Sequence, residues 1–174
     1  MLKNLLSIET DRLRLIAANA ALIHLELEDR PALLSAMDAA PPDEWPPPLN
    51  DDASFRFFLD IMERDPSLTG WGYWYVIEKR TGQPIGTCGF KGRPDATGTV
   101  EIGYSVVPSR QRQGFASEAV EALIAWCGTQ GAKIVLAETL PELDASIRVM
   151  EKNGLVFAGQ GSEPGVVRYR RALN

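Results

Sequence analysis

The chain has 174 residues, 45% hydrophobic and 24% charged, the make-up of one globular domain with a substantial core. Its formal charge of −5 disfavours wholesale nucleic-acid binding and favours cationic partners. No apolar run approaches membrane-spanning length, and 1 histidine with 2 separated cysteines argues against a metal site. Residues 1–8 are too short for a secretory signal, so a cytoplasmic protein without membrane attachment is expected.

Leu13 and Leu15 alternate with Arg12 and Arg14, which predicts a first strand within residues 9–15. Asn19 suits the cap of a helix over residues 20–27, and Pro31 opens a further helical piece over 32–37. Residues 40–49 hold 5 prolines, which excludes a regular helix or a central strand and leaves a stiff loop carrying Trp45. Asp51 or Asp52 caps the next helix, over residues 53–64, where Phe55, Phe58, Leu59 and Met62 share a face. Residues 71–79 and 84–92 read as strands joined by a hairpin at Thr81 and Gly82.

The organising stretch is residues 100–125. Val100, Ile102, Tyr104 and Val106 alternate with Glu101, Gly103 and Ser105, giving a central strand that Pro108 ends. From Ala116 the apolar step becomes helical, through Val120, Leu123, Ile124 and Cys127. Between strand and helix lie Arg110, Gln111, Arg112, Gln113 and Gly114. A helix start has unpartnered N–H groups and a partial positive charge, and small residues let an anion approach it. With two arginines beside it, this turn suits a pyrophosphate. Gly131 then caps the helix, and residues 133–138 form a short buried strand, parallel to the central one through the helical crossover. Pro141 and Glu142 suit the first turn of another helix and Asn153-Gly154 its end. Residues 154–157 and 165–170 read as a closing hairpin. Cys88 and Cys127 fall inside a strand and a helix, as buried thiols.

Three segments resemble the GNAT superfamily of acyl-CoA-dependent N-acetyltransferases. The motif Gln/Arg-x-x-Gly-x-Gly/Ala is met by Gln111, Gly114 and Ala116. The stretch 139–155 resembles the family's Pro-x-Asn-x-x-Ser…Glu-Lys-x-Gly-Phe run, with Leu143 where the family usually has asparagine. The opening over residues 9–15 is similar to the branch containing ribosomal-protein N-terminal acetyltransferases. The resemblance implies a single domain over 1–174. Its fold would be a mixed α/β (α+β) one, with a mostly antiparallel twisted sheet of about seven strands flanked by helices. Acetyl-CoA would be the co-substrate, with its pantetheine arm entering where two central strands splay apart. Gln113, Gly114, Ala116 and Ser117 would offer N–H groups to the pyrophosphate, with Arg110 or Arg112 adding charge. Trp45 is then a candidate acceptor-pocket wall, or else a residue pinning its loop to the core.

Acetyl transfer to an amine requires the thioester beside the amine, loss of the amine proton and a stabilised thiolate. Glu101 on the central strand and Glu138 at the end of the next are the candidate bases, or else each is paired with an arginine. Backbone N–H groups near Val106 and Val107 would meet the oxyanion. In the resembling branch a serine at the position of Ser146 bonds the departing sulfur; its structural alternative is a bond to a helix carbonyl. Tyr104 and Tyr169 are further candidate proton donors. The expected acceptor is a primary amine of a peptide N-terminus or a small molecule, and the protein a monomer or homodimer. A non-catalytic acyl-CoA-binding or sensing module on the same fold is the alternative.

Overall fold

Strand and helix periodicities sort the chain into one eight-stranded sheet and five α-helices in the computed structural model, which describes residues 4–174. The first three positions of the 1–8 stretch lie outside the described residues. The strands are β1 (Ser7–Glu9), β2 (Leu13–Ala17), β3 (Tyr73–Glu78), β4 (Pro84–Phe90), β5 (Thr99–Val106), β6 (Ile134–Thr139), β7 (Val156–Gln160) and β8 (Val167–Ala172). The helices are α1 (Ala20–Glu28), α2 (Arg30–Ala36), α3 (Asp52–Arg64), α4 (Phe115–Thr129) and α5 (Asp144–Lys152). The sheet order is β1-β2-β3-β4-β5-β6-β8-β7, and every pairing is antiparallel except β5 with β6.

The eighth strand comes from the opening stretch. Thr10 donates its N–H to the Leu13 carbonyl at 2.9 Å, and this turn folds β1 back on β2. Alternate residues of β2 and β3 feed two cores. Leu13, Leu15, Trp74 and Val76 pack with α4, while Ile16, Tyr73, Tyr75 and Ile77 pack with α1, α2 and α3. Asn19 caps α1, and Asp51, not Asp52, caps α3 through a reciprocal bond with Ser54. Cys88 and Cys127 are both buried free thiols.

Several element ends shift by one or two residues from the sequence reading, α2 (Arg30–Ala36) and β8 (Val167–Ala172) among them, and two of the differences bear on the site. Gly114 at φ +82° is the N-cap of α4, so the helix starts at Phe115, one residue early. Pro141 and Glu142 precede α5 instead of opening it, because the Leu143 N–H is taken by Leu140 O at 3.0 Å, closing a turn.

The parallel pair positions the site. β5 and β6 are in register only at Thr99↔Ile134, Val100↔Val135 and Glu101↔Leu136. β5 then continues to Val106 and β6 to Thr139 without pairing, so the sheet opens at its centre.

Candidate active site

A groove of about 1000 Å³ occupies the opening. It is lined by the start of α4, by β5 from Ile102 to Val106 and by Pro48 and Leu49, with the Pro48 carbonyl accepting from Ser105 Oγ at 2.6 Å. The turn into α4 is built from side-chain bonds to its own backbone. Gln111 Nε2 donates to Val106 O at 2.9 Å, and Gln113 Nε2 to Ser109 O at 3.1 Å. From the β1–β2 turn, Arg12 donates Nη1 to Gln113 O at 2.9 Å and Nε to Glu118 Oε2 at 2.7 Å, with its guanidinium 4.4 Å over the Phe115 ring. Burial pushes the Glu118 carboxyl up, but bonds from Thr10 and Arg12 outweigh it and hold it below its ordinary range.

This scaffold leaves donors free. The α4 N-cap has no side-chain bond, and among the described residues nothing accepts from the N–H groups of residues 112–117. The backbone N–H groups of Gln113, Gly114, Ala116 and Ser117 thus stand side by side without a partner among the described residues. Arg112, at φ +60°, lines the groove, as do Arg148 and Lys152, one turn apart on α5. The two basic α5 residues escaped the sequence reading; the i, i+4 repeat of Asp144, Arg148 and Lys152 was the available signal. Asn153 was read only as a helix end. It also ties α5 to α4, donating Nδ2 to Ser117 O at 3.2 Å and Ser117 Oγ at 3.3 Å.

Arg110 is committed elsewhere. Its Nε donates to Glu78 Oε2 at 3.2 Å and its Nη2 to Gln83 Oε1 at 3.3 Å. Burial pushes the Glu78 carboxyl up, but Thr81, Arg110 and Arg80 together hold it below its ordinary range. Both arginines line the groove, but the Arg110 guanidinium is bonded to Glu78 and Gln83, whereas Arg112 has no side-chain bond among the described residues and is the freer to meet an anion.

Strand parity decides the backbone donors. Glu101 O accepts from Lys91 N at 3.0 Å, and Val107 N donates to Ile85 O at 2.9 Å. Odd-numbered residues of β5 thus bond β4, and Tyr104 and Val106 turn their N–H groups toward the gap. Val107 is corrected on this ground: its N–H is spent on β4, and its side chain is buried in the core.

The two carboxylates share the face opposite α4, and both are paired. Glu101 makes an ion pair with Lys91 and does not line the groove. Glu138 lines the groove but is saturated. Its Oε1 accepts Arg168 Nε and Nη2 at 2.8 and 2.6 Å, and its Oε2 accepts Ser162 Oγ at 2.6 Å. Burial pushes the Glu138 carboxyl up, but Ser162 and Arg168 outweigh it and hold it low.

Ser146 and Tyr104 meet across the gap. Tyr104 Oη donates to Ser146 O at 2.9 Å and lies 3.1 Å from Ser146 Oγ. Tyr169 instead packs edge-on against Phe157, centroids 5.7 Å apart, and is outside the groove. Trp45 also lies outside it. Its indole N–H donates to Glu26 Oε1 at 2.8 Å, its ring stacks on Tyr75 at 6.2 Å, and it faces a separate cavity of about 600 Å³ beside Arg30 and Pro42. Leu143 is half exposed at the α5 N-cap, without a side-chain hydrogen bond.

Residues 20–156 match the model of the acetyltransferase (GNAT) domain family. The sequence is 26% identical over 159 residues to the uncharacterized N-acetyltransferase YjdG of Bacillus subtilis (strain 168), covering 90% of this chain and 93% of that protein. The fold is similar to the ribosomal-protein-S5-alanine acetyltransferase of Vibrio fischeri, with a TM-score of 0.67 at 17% identity over 96% of each chain. It is also similar to RimL, the ribosomal L7/L12 alpha-N-protein acetyltransferase, solved in complex with coenzyme A. That match has a TM-score of 0.68 at 19% identity and covers 97% of this chain and 98% of that one.

Proposed function

The chain belongs to the GNAT acetyltransferase family, and from that premise we propose that it transfers an acetyl group from acetyl-CoA to a primary amine in a ternary complex. The observation that carries this reading is the gap between β5 and β6, which ends at a helix start with free N–H groups. A helix start so arranged holds a pyrophosphate, and the Arg112, Arg148 and Lys152 side chains supply the counter-charge. The thioester arm fits along β5, where the Tyr104 and Val106 N–H groups have no strand partner.

Acetyl-CoA supplies an activated acyl carbon. The amine nitrogen, entering over Gly103, forms a bond to that carbon. The C–S bond then breaks, its electron pair leaving on sulfur. The N–H groups facing the gap meet the carbonyl oxygen as negative charge develops on it. Glu101 and Glu138 each hold a cation already, so the amine's proton passes to water at the groove mouth. Positioning the two reactants supplies most of the acceleration.

The acceptor we infer is a peptide N-terminus or a small primary amine. Pro48 and Leu49 offer an apolar wall at that mouth, and Leu49 is 92% exposed. Thiol release from acetyl-CoA, measured against peptides with free N-termini, polyamines, amino acids and aminoglycosides, tests the reading. Release with at least one amine class is expected. Leu143 makes no side-chain hydrogen bond where the family usually has asparagine, and this favours the non-catalytic acyl-CoA-sensing alternative. Coenzyme binding without release across the panel would establish that alternative and remove transfer.

A further inference from the structure

We propose that Tyr104 is a positioning residue that aims the Ser146 hydroxyl at the departing sulfur, a role that rests on the acetyl-transfer reading above. A serine inside a helix ordinarily bonds a carbonyl of the preceding turn. Among the described residues Ser146 Oγ has a different partner, the Tyr104 hydroxyl reaching across from β5. Tyr104 makes two contacts to this one residue, at 2.9 Å to the carbonyl and 3.1 Å to the hydroxyl. Both side chains line the groove where the strands have parted.

The proton positions follow. Tyr104 Oη–H is donated to Ser146 O, so at rest Ser146 Oγ–H points to Tyr104 Oη. When negative charge forms on a sulfur in the gap, Ser146 Oγ–H turns to it. Tyr104 Oη–H then swings from the carbonyl to Ser146 Oγ, and the two hydroxyls form a chain of donors that strengthen one another. No proton leaves either oxygen. Burial pushes the Tyr104 hydroxyl up to about 12, so it acts as a hydrogen-bond donor and not as an acid. The neighbouring Cys88 thiol is also pushed up by burial and stays neutral.

Other charges line the same groove: Glu138 with its partner Arg168 on the sheet, Asp144, Arg148 and Lys152 on α5, and Arg112 and the Glu78-paired Arg110 in the loop. They set the absolute acidity of a bound thiol. The Tyr104 contribution is read as a difference between variants that leave them all in place.

The probe is coenzyme A itself, whose thiolate absorbs in the ultraviolet. Its bound thiol is titrated in wild type, Tyr104→Phe, Ser146→Ala and the double variant. Tyr104→Phe removes one oxygen and keeps the ring, so melting temperature and coenzyme affinity are the controls. Each single variant is expected to raise the bound thiol's pKa by about one pH unit. The double variant should match Ser146→Ala alone, because Tyr104 acts through the serine. Ser146→Thr, which keeps a hydroxyl, should retain the wild-type value. Tyr104→Phe titrating like wild type, or shifts that add, would overturn the role even with coenzyme bound. Failure of wild type to bind coenzyme A would remove the acetyl-transfer reading, and this role with it.

Discussion

Replacing Gly114 by valine strikes the point where β5 hands over to α4. Gly114 sits at φ +82°, and a Cβ there would stand 3.3 Å from Arg12 Nη2. The left-handed conformation costs a residue with a side chain roughly 1–2 kcal/mol, and valine's branching adds to this. The Arg12 contact is with the far end of a flexible side chain and can yield. A stability loss of about 1–3 kcal/mol is expected, which a domain of ordinary stability survives. Binding should suffer separately, because the isopropyl group stands before the free N–H groups. A hydrogen bond to a charged group contributes about 1.5–3 kcal/mol, so losing even one weakens acetyl-CoA binding about tenfold or more. Calorimetry with acetyl-CoA and with S-acetylpantetheine, which carries the thioester arm but no pyrophosphate, separates the two ends of the groove. Only acetyl-CoA should weaken. A folded Gly114→Val variant that binds acetyl-CoA within about twofold of wild type would refute the anion-binding role of this turn.

The two loop arginines should part company. Arg110→Ala leaves the buried Glu78 without one partner and should cost about 1–3 kcal/mol in thermal unfolding, with little change in coenzyme affinity beyond that. Arg112→Ala should leave melting unchanged and weaken acetyl-CoA binding most at low salt; the reverse pattern would exchange their roles. Glu138 is held below its ordinary pKa by Ser162 and Arg168, so its stabilisation is present above the unfolded carboxylate's pKa and is lost as pH falls through the folded value. Melting of wild type between neutral and acidic pH should therefore fall more steeply than melting of Glu138→Gln; parallel curves would show that the pair contributes nothing. Because Glu138 is saturated, Glu138→Gln should also leave the shape of the pH–rate profile unchanged, and loss of the pKa on the acidic limb would restore it as a base.

The local patterns were legible in the sequence because they are short-range. Alternation in residues 100–106, the helical step after Ala116 and the glycine at the turn fix β5, the α4 start and the direction of its N–H groups. The opening of the sheet was not legible by spacing: Val100–Val106 and Ile134–Thr139 have the apolar make-up of strands that could pair throughout. Nor was the commitment of polar side chains. Arg110 and Arg112 are two residues apart in one basic loop and both border the groove, yet the first is bonded to Glu78, 32 positions away, and the second is not. Val107 failed for a subtler reason, since a parity of one residue decides whether a strand N–H faces a neighbouring strand or a gap.

The net charge of −5 suggested a mouth that draws cationic acceptors, and the structure distributes that charge otherwise. Glu138, in the groove, is matched by Arg168, and Glu101, on the same sheet face outside it, by Lys91. At the coenzyme end Arg112, Arg148 and Lys152 stand along the groove. The groove is positive where a polyphosphate would lie and nearly neutral where an amine would enter. Surface acid elsewhere raises the encounter rate of cations over distances up to about 10 Å at moderate salt, and it is screened beyond that. If an amine is acetylated here as proposed, discrimination is expected to fall to shape at Pro48, Leu49 and the bare Gly103, not to a charge waiting in the pocket. On the proposed reading, an acceptor is expected to gain nothing from extra positive charge once inside. It is expected to gain instead from apolar surface next to the amine. Amines with an aliphatic or aromatic neighbour should therefore show lower KM than equally charged ones without it, and Leu49→Ser should erase the difference; equal KM values would refute this role for Leu49.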